Sequence, residues 1–174
     1  MKGFLVGLLI GFLVLFPLTA YLFARLGFLS LATTARPLPL EEFMARTALR
    51  ASVGAAADQK NPLAANDENL LAGSEVYREN CAICHGLPGQ PKSQISAGMF
   101  PKPPRLLEKG EMVIDDPEGA TQWKIANGIR LSGMPGFSQL SEAQRWEVTL
   151  LLKHADKLPA AVQSALSQPA FPRR

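Results

Sequence analysis

The chain has 174 residues, 47% of them hydrophobic and 19% charged, with a formal net charge of +3. That length suits one modest domain with appendages, and two cysteines are too few for a disulfide scaffold. Between residues 70 and 160 ten lysines and arginines face ten acidic residues, so the basic excess is not the footprint of a nucleic-acid binder.

Residues 1–28 open the chain with a stretch from Gly3 to Ala24 that carries no charge. A helix of that length, rising about 1.5 Å per residue, crosses the roughly 30 Å hydrocarbon slab of a membrane, whereas the apolar part of a signal peptide usually runs to only about 7–15 residues. An uncleaved single-pass anchor is the expectation. Pro17 kinks such a helix without forbidding it, Tyr21 suits the interface, and Lys2 and Arg25 bracket the ends. The competing reading is a long signal sequence cut after Ala35, where Thr33 and Ala35 supply small residues. Charge alone leaves the orientation open, because Lys2 lies on one side and Arg25 and Arg36 on the other.

Residues 29–66 mix proline, alanine and polar residues and read mostly as a tether. Inside it, Leu40 to Val53 fits a short amphipathic helix, with Glu41 and Glu42 in its first turn and Arg46 and Arg50 later, as the helix dipole prefers. Leu40, Phe43, Met44, Thr47 and Ala48 share one face, to be covered by membrane, globular domain or partner. A compact domain is expected at 67–160. Asp67 is a candidate N-cap for a helix carrying Leu70, Gly73, Tyr77 and Cys81 at helical spacing. A second helix begins at the capping box Ser141 and Gln144, carries Trp146, Leu150 and Leu151, and stops before Pro159. A short third helix is read over Trp123 to Arg130. No alternating run supports a sheet, so the fold class is all-α. Residues 161–174 read as a C-terminal tail, whose "FPRR" end suits anionic lipid or a neighbouring subunit.

A domain of this size, nearly half loop, buries little apolar surface on its own. "CAICH", at 81–85, offers something to fill the core and uses both cysteines of the chain. Structural zinc wants four ligands, and beyond Cys81, Cys84 and His85 only His154 is left. A thioredoxin-type pair should follow a strand and open a helix, whereas these cysteines close one. Attachment of a c-type haem asks for two thiols that add to two vinyl groups and a histidine that meets the iron, and C-x-x-C-H supplies all three in one turn. One covalent haem c is the favoured reading, with both thiols consumed as thioethers. The outer N–H of His85 then needs an acceptor, and the carbonyl of Pro104 in "PPRL" is the candidate. For the other side of the iron, Met134 in "LSGMPGF" is favoured, because Gly133, Pro135 and Gly136 allow close approach and hold one shape. Met99 and Met112 read as core filler. His154, in the last turn of its helix, reads as a dipole partner more than a second ligand.

With these residues in view, the stretch from about Leu70 to Leu158 resembles a class I c-type cytochrome. "GSEVYRENCAICHG" is similar to the family's first helix and attachment site, "PPRL" to its proline loop, "GMPGF" to its axial-methionine loop and "RWEVTLLLKHA" to its last helix. "IANGIRLSGMP" is most similar to mono-haem modules related to the cytochrome subunits of bacterial terminal oxidases. The resemblance implies the class I cytochrome c fold, all-α around one covalent haem and preceded here by one transmembrane helix, with Gly73 and Tyr77 crossing against Trp146 and Leu150. It also implies attachment outside the cytoplasm and hence an N-in anchor in the bacterial inner membrane, with the haem domain on the periplasmic side.

The function expected on these grounds is that of a one-electron carrier rather than an enzyme, since iron held by His85 and Met134 has no open position for a small-molecule substrate. Trp123 and Arg130 are candidates to hold the haem propionates. Expected partners are the membrane and redox proteins such as a quinol-oxidising complex, a terminal oxidase or a reaction centre, with no nucleic acid. A basic loop of Lys92, Lys102 and Arg105 is a candidate docking patch, next to an acidic run of Asp115, Asp116 and Glu118. Two rival readings are a haem subunit of a larger respiratory or photosynthetic complex and a gas-binding or peroxidase-like haem protein.

Overall fold

The computed structural model describes residues 2–168. Contacts divide the chain after Arg36 into two units. The first is dominated by helix α1, Lys2–Arg25, which runs unbroken through Pro17 and buries none of its residues. At about 36 Å it exceeds the thickness of a bilayer core. Its end is a Schellman turn: Gly27, at φ +79°, donates to the Ala24 carbonyl, Phe28 donates to that of Phe23, and the Phe23 and Phe28 rings stack at 4.9 Å.

The second unit is all-helical among the described residues, its only strand-like feature being an isolated bridge between Ile129 and Met134. It holds α2 (Glu41–Val53), a 3-10 turn (Gly54–Asp58), α3 (Asp67–Asn80), α4 (Ala82–His85), α5 (Gln94–Gly98), α6 (Glu118–Asn127), α7 (Glu142–Lys153) and α8 (Ala160–Ser167). The first large helix of the core, α3, starts one residue earlier than the capping pattern suggested: Asn66, not Asp67, caps it by accepting from the Asn69 N–H. The Ser141–Gln144 capping box of α7 is complete in both directions.

The frame is the crossing of α3 on α7. A β-carbon at Gly73 would overlap the Glu147 carbonyl oxygen and lie 2.8 Å from its carbonyl carbon, so only glycine lets the two backbones come this close. The partners across Gly73 are thus Glu147 and Leu151. Beside the crossing, Tyr77, Val148, Leu150 and Leu151 are almost wholly buried. Each such aliphatic side chain contributes about 1.5–3 kcal/mol by leaving water.

Two stretches outside the expected 67–160 domain are built into this unit. Over 54–66, the 3-10 turn packs on α6, with the Ala56 carbonyl filling the space a side chain at Gly119 would need, and the Asn61 amide donates to the Trp146 carbonyl at 2.9 Å. Backbone and small residues make these contacts, so no large apolar periodicity announces them. In the expected tail, α8 folds back onto α3 and buries Val162 and Leu166. Residues 171–174, the "FPRR" end, lie outside the described residues. Finally, α6 starts at Glu118, five residues before the helix read from Trp123, and ends at Gly128 with φ +70°.

Candidate cofactor site

The site grows from the end of α3. Cys81 N–H still bonds the Tyr77 carbonyl, and α4 follows as a single turn in which His85 N–H bonds the Cys81 carbonyl at 2.9 Å. Cys81, Cys84 and His85 thereby fall on successive positions of one turn and line one cavity of about 260 Å³. Gly86, at φ +77°, ends the turn, and its carbonyl accepts from the buried Tyr77 hydroxyl at 2.9 Å.

His85 Nδ1 lies 2.8 Å from the Pro104 carbonyl, the acceptor expected for it. With Nδ1–H donating there, the lone pair is left on Nε2, the tautomer a metal ligand needs. The proline loop is itself clamped by the next residue. Arg105 is buried, and its Nη2 donates to the Leu87 carbonyl at 2.9 Å and the Gln90 carbonyl at 2.8 Å and pairs with Glu108 at 2.6 Å. A β-carbon on Gly86 would come 3.1 Å from the guanidinium carbon. Arg105 therefore does not belong to an exposed basic patch. Its charge serves inside, tying the segment after the histidine to the segment that orients it.

The far end of the cavity lining comes from the loop after α6. Gly128 can carry no side chain, since a β-carbon there would sit 2.6 Å from the Met134 carbonyl oxygen. Ile129 N–H bonds that same carbonyl at 3.1 Å, Met134 N–H bonds Ser132 Oγ at 3.2 Å, and Phe137 N–H bonds the Ile125 carbonyl at 2.9 Å. The loop is thus closed on itself and onto α6, and it holds Met134 in the cavity wall. Val148 and Leu152 of α7 line it too, as do Asn80 and Lys102. Met99, read from sequence as filler, also lines the cavity, close to Gly133. The remaining expected residues lie elsewhere: Trp123 is half-buried, Arg130 is exposed, and neither lines the cavity. His154 Nδ1 faces the Leu150 carbonyl of its own helix at 3.0 Å.

Burial sets the protonation states. It pushes the Cys81 thiol up to about 12, with Cys84 adding to the shift, and it also raises Cys84. His85 is lowered by burial, against the opposing pull of the Pro104 hydrogen bond. Neutral thiols beside a neutral imidazole are the reverse of a redox-active pair, which needs a depressed thiol pKa. No three metal-binding side chains cluster among the described residues, so the zinc reading finds no further ligands there. The donor set and its surroundings do fit haem c: two thiols on one turn, an imidazole with a fixed tautomer, a thioether on the same cavity and an otherwise mainly apolar lining.

Comparison with known proteins agrees. Residues 68–151 match the family model described as Cytochrome C oxidase, cbb3-type, subunit III. No curated protein matches the chain significantly.

Proposed function

Because residues 68–151 match a cytochrome family model, we propose that the chain is a membrane-anchored one-electron carrier in which Cys81 and Cys84 would hold a haem c covalently and His85 and Met134 would ligate its iron. The observation that carries this is that both side chains line one cavity with Cys81 and Cys84. The haem supplies a one-electron iron couple. Cys81 and Cys84 would hold it as thioethers, which leaves no free thiol in the site. His85, held by Pro104, presents Nε2. Met134 presents a soft thioether sulfur that favours the reduced iron, and the rigid loop from Gly128 to Phe137 keeps it in place. With His85 and Met134 both committed to the iron, the group would leave no open position for a substrate and would serve electron transfer.

The donor is a quinol-oxidising complex or a protein it reduces, and the acceptor is a terminal oxidase or reaction centre. The family description favours one second reading, in which this chain is itself a haem subunit of an oxidase assembly. Purification in mild detergent separates the two: a carrier comes alone, a subunit brings its neighbours.

The ligand assignment is tested by spectroscopy. Met134→Ala is expected to abolish the ferric sulfur-to-iron absorption band and lower the midpoint potential, while Met99→Leu leaves the band in place. The opposite pattern would transfer the axial role to Met99, and a band surviving in both variants would overturn thioether ligation by either residue.

A further inference from the structure

Helix α2 has two apolar faces, and only one is used. Val53 is buried and Leu49 half-buried on the side that meets the 3-10 turn and α6. About half a turn away Phe43 and Met44 are 67% and 66% exposed, and Leu40, the residue just before the helix, is 71% exposed. With Leu38 they make four of the seven large apolar side chains left exposed among the described residues from 37 onward, gathered within seven consecutive positions. Exposed apolar side chains also continue along the chain toward α1 through Leu31, Phe28 and Leu26. Arg46, paired with Glu42, and Arg50 follow the stripe along one edge.

We propose that this face of α2 rests on the lipid surface of the membrane crossed by α1, with Leu40, Phe43 and Met44 in the boundary between headgroups and acyl chains. The proposal rests on α1 being a membrane anchor. The short chain distance from α1 supports lipid as the occupant, because Leu38 follows Arg25, the last residue of the span, by only 13 positions. Size supports it as well: a stripe of three large side chains falls far short of the roughly 800 Å² per partner of a stable protein interface. A lipid surface needs no such area, since the anchor holds the stripe at high effective concentration near the bilayer and turns a weak affinity into occupancy. Arg50, beside the stripe, suits an anionic headgroup.

The test uses the full-length haem-loaded protein in lipid nanodiscs, in which the native thiols are consumed as thioethers and one introduced cysteine at a time carries a nitroxide. Labels are placed at Phe43→Cys and Met44→Cys on the stripe, at Ser52→Cys off it, and at Leu13→Cys within α1, with an unchanged haem spectrum certifying the fold. At 43 and 44 the ratio of oxygen collisions to collisions with a water-soluble nickel chelate is expected to exceed that at 52 by about threefold or more, as for a helix lying in the interface. Met44→Glu should return the label at 43 to the value seen at 52. Labels at 43 and 44 that behave like the one at 52 overturn the proposal in favour of water. Shielding from both reagents overturns it in favour of a protein partner, and dipolar broadening in favour of a second copy. A water-accessible label at 13 shows instead that the anchor reading has failed, and the proposal falls with it.

Discussion

Glu147 sits where α7 crosses α3, and its carboxyl is raised above the usual range by burial and then by the charge of Glu75. A carboxyl whose folded pKa is raised holds its proton longer in the native state than in the unfolded chain. Stability contributed this way falls as pH rises from the ordinary carboxylate range through the raised value. Glu147→Gln is therefore expected to be the more stable protein at neutral pH, by about 0.5 kcal/mol or less as for other partly exposed charge pairs, with the advantage vanishing below the ordinary carboxylate range. Urea midpoints at several pH values check this, and a gap that does not depend on pH contradicts it. At the same scale, the sequence already shows why Pro104 faces His85: an imidazole bound to a metal needs an acceptor, and a proline carbonyl in a stiff loop provides one. The inward turn of Arg105 was not legible, since a lysine or arginine in a loop reads as exposed until its carbonyl partners are known. Asn80 and Lys102 adjoin Cys81 and the proline loop in the chain, but nothing in their residue types announced a place in the cavity wall.

The starts of α3 and α7, helices with large side chains at regular spacing, were readable to within a residue or so, because burial of Tyr77, Leu150 and Leu151 is written in their spacing, whereas α7 ends at Lys153, five residues short of the stop expected just before Pro159. Helix α8 was harder. Its two anchors, Val162 and Leu166, stand among alanines and serines beside a proline and a polar end, and two apolar residues one turn apart give little signal until α3 is there to receive them. The helix is nonetheless part of the core. Leu166→Ala is expected to cost about 2–5 kcal/mol, as for other buried leucines, and ending the chain after Pro159 at least as much. Chemical denaturation followed at the haem band measures both, and an unchanged midpoint would place α8 outside the cooperative unit. The stretch 54–66 was opaque for a different reason: its contacts are a backbone carbonyl against Gly119 and an asparagine amide against Trp146, neither of which depends on hydrophobic periodicity.

For the molecule as a whole, the charges at the two ends of α1 do not set its direction, and the proposed attachment of haem to Cys81 and Cys84 outside the cytoplasm does. A C-terminal fusion to alkaline phosphatase, an enzyme active only after export, is expected to be active in cells, whereas a dark phosphatase with a fluorescent cytoplasmic reporter at the same position would reverse the topology. Fold class and cofactor were legible at this level because one five-residue motif joined to a later methionine loop leaves few alternatives. The extent of the folded unit was not, because one added part packs through backbone and small residues and the other through only two apolar side chains. That extent has a mechanical result. A tether over 29–66 with its helix kept would let the redox centre swing through about 100 Å. With the second unit beginning at residue 37 and α1 ending at Arg25, the leash shortens to about 40 Å at full stretch. So short a leash confines the electron hand-off to immediate neighbours in the same patch of membrane.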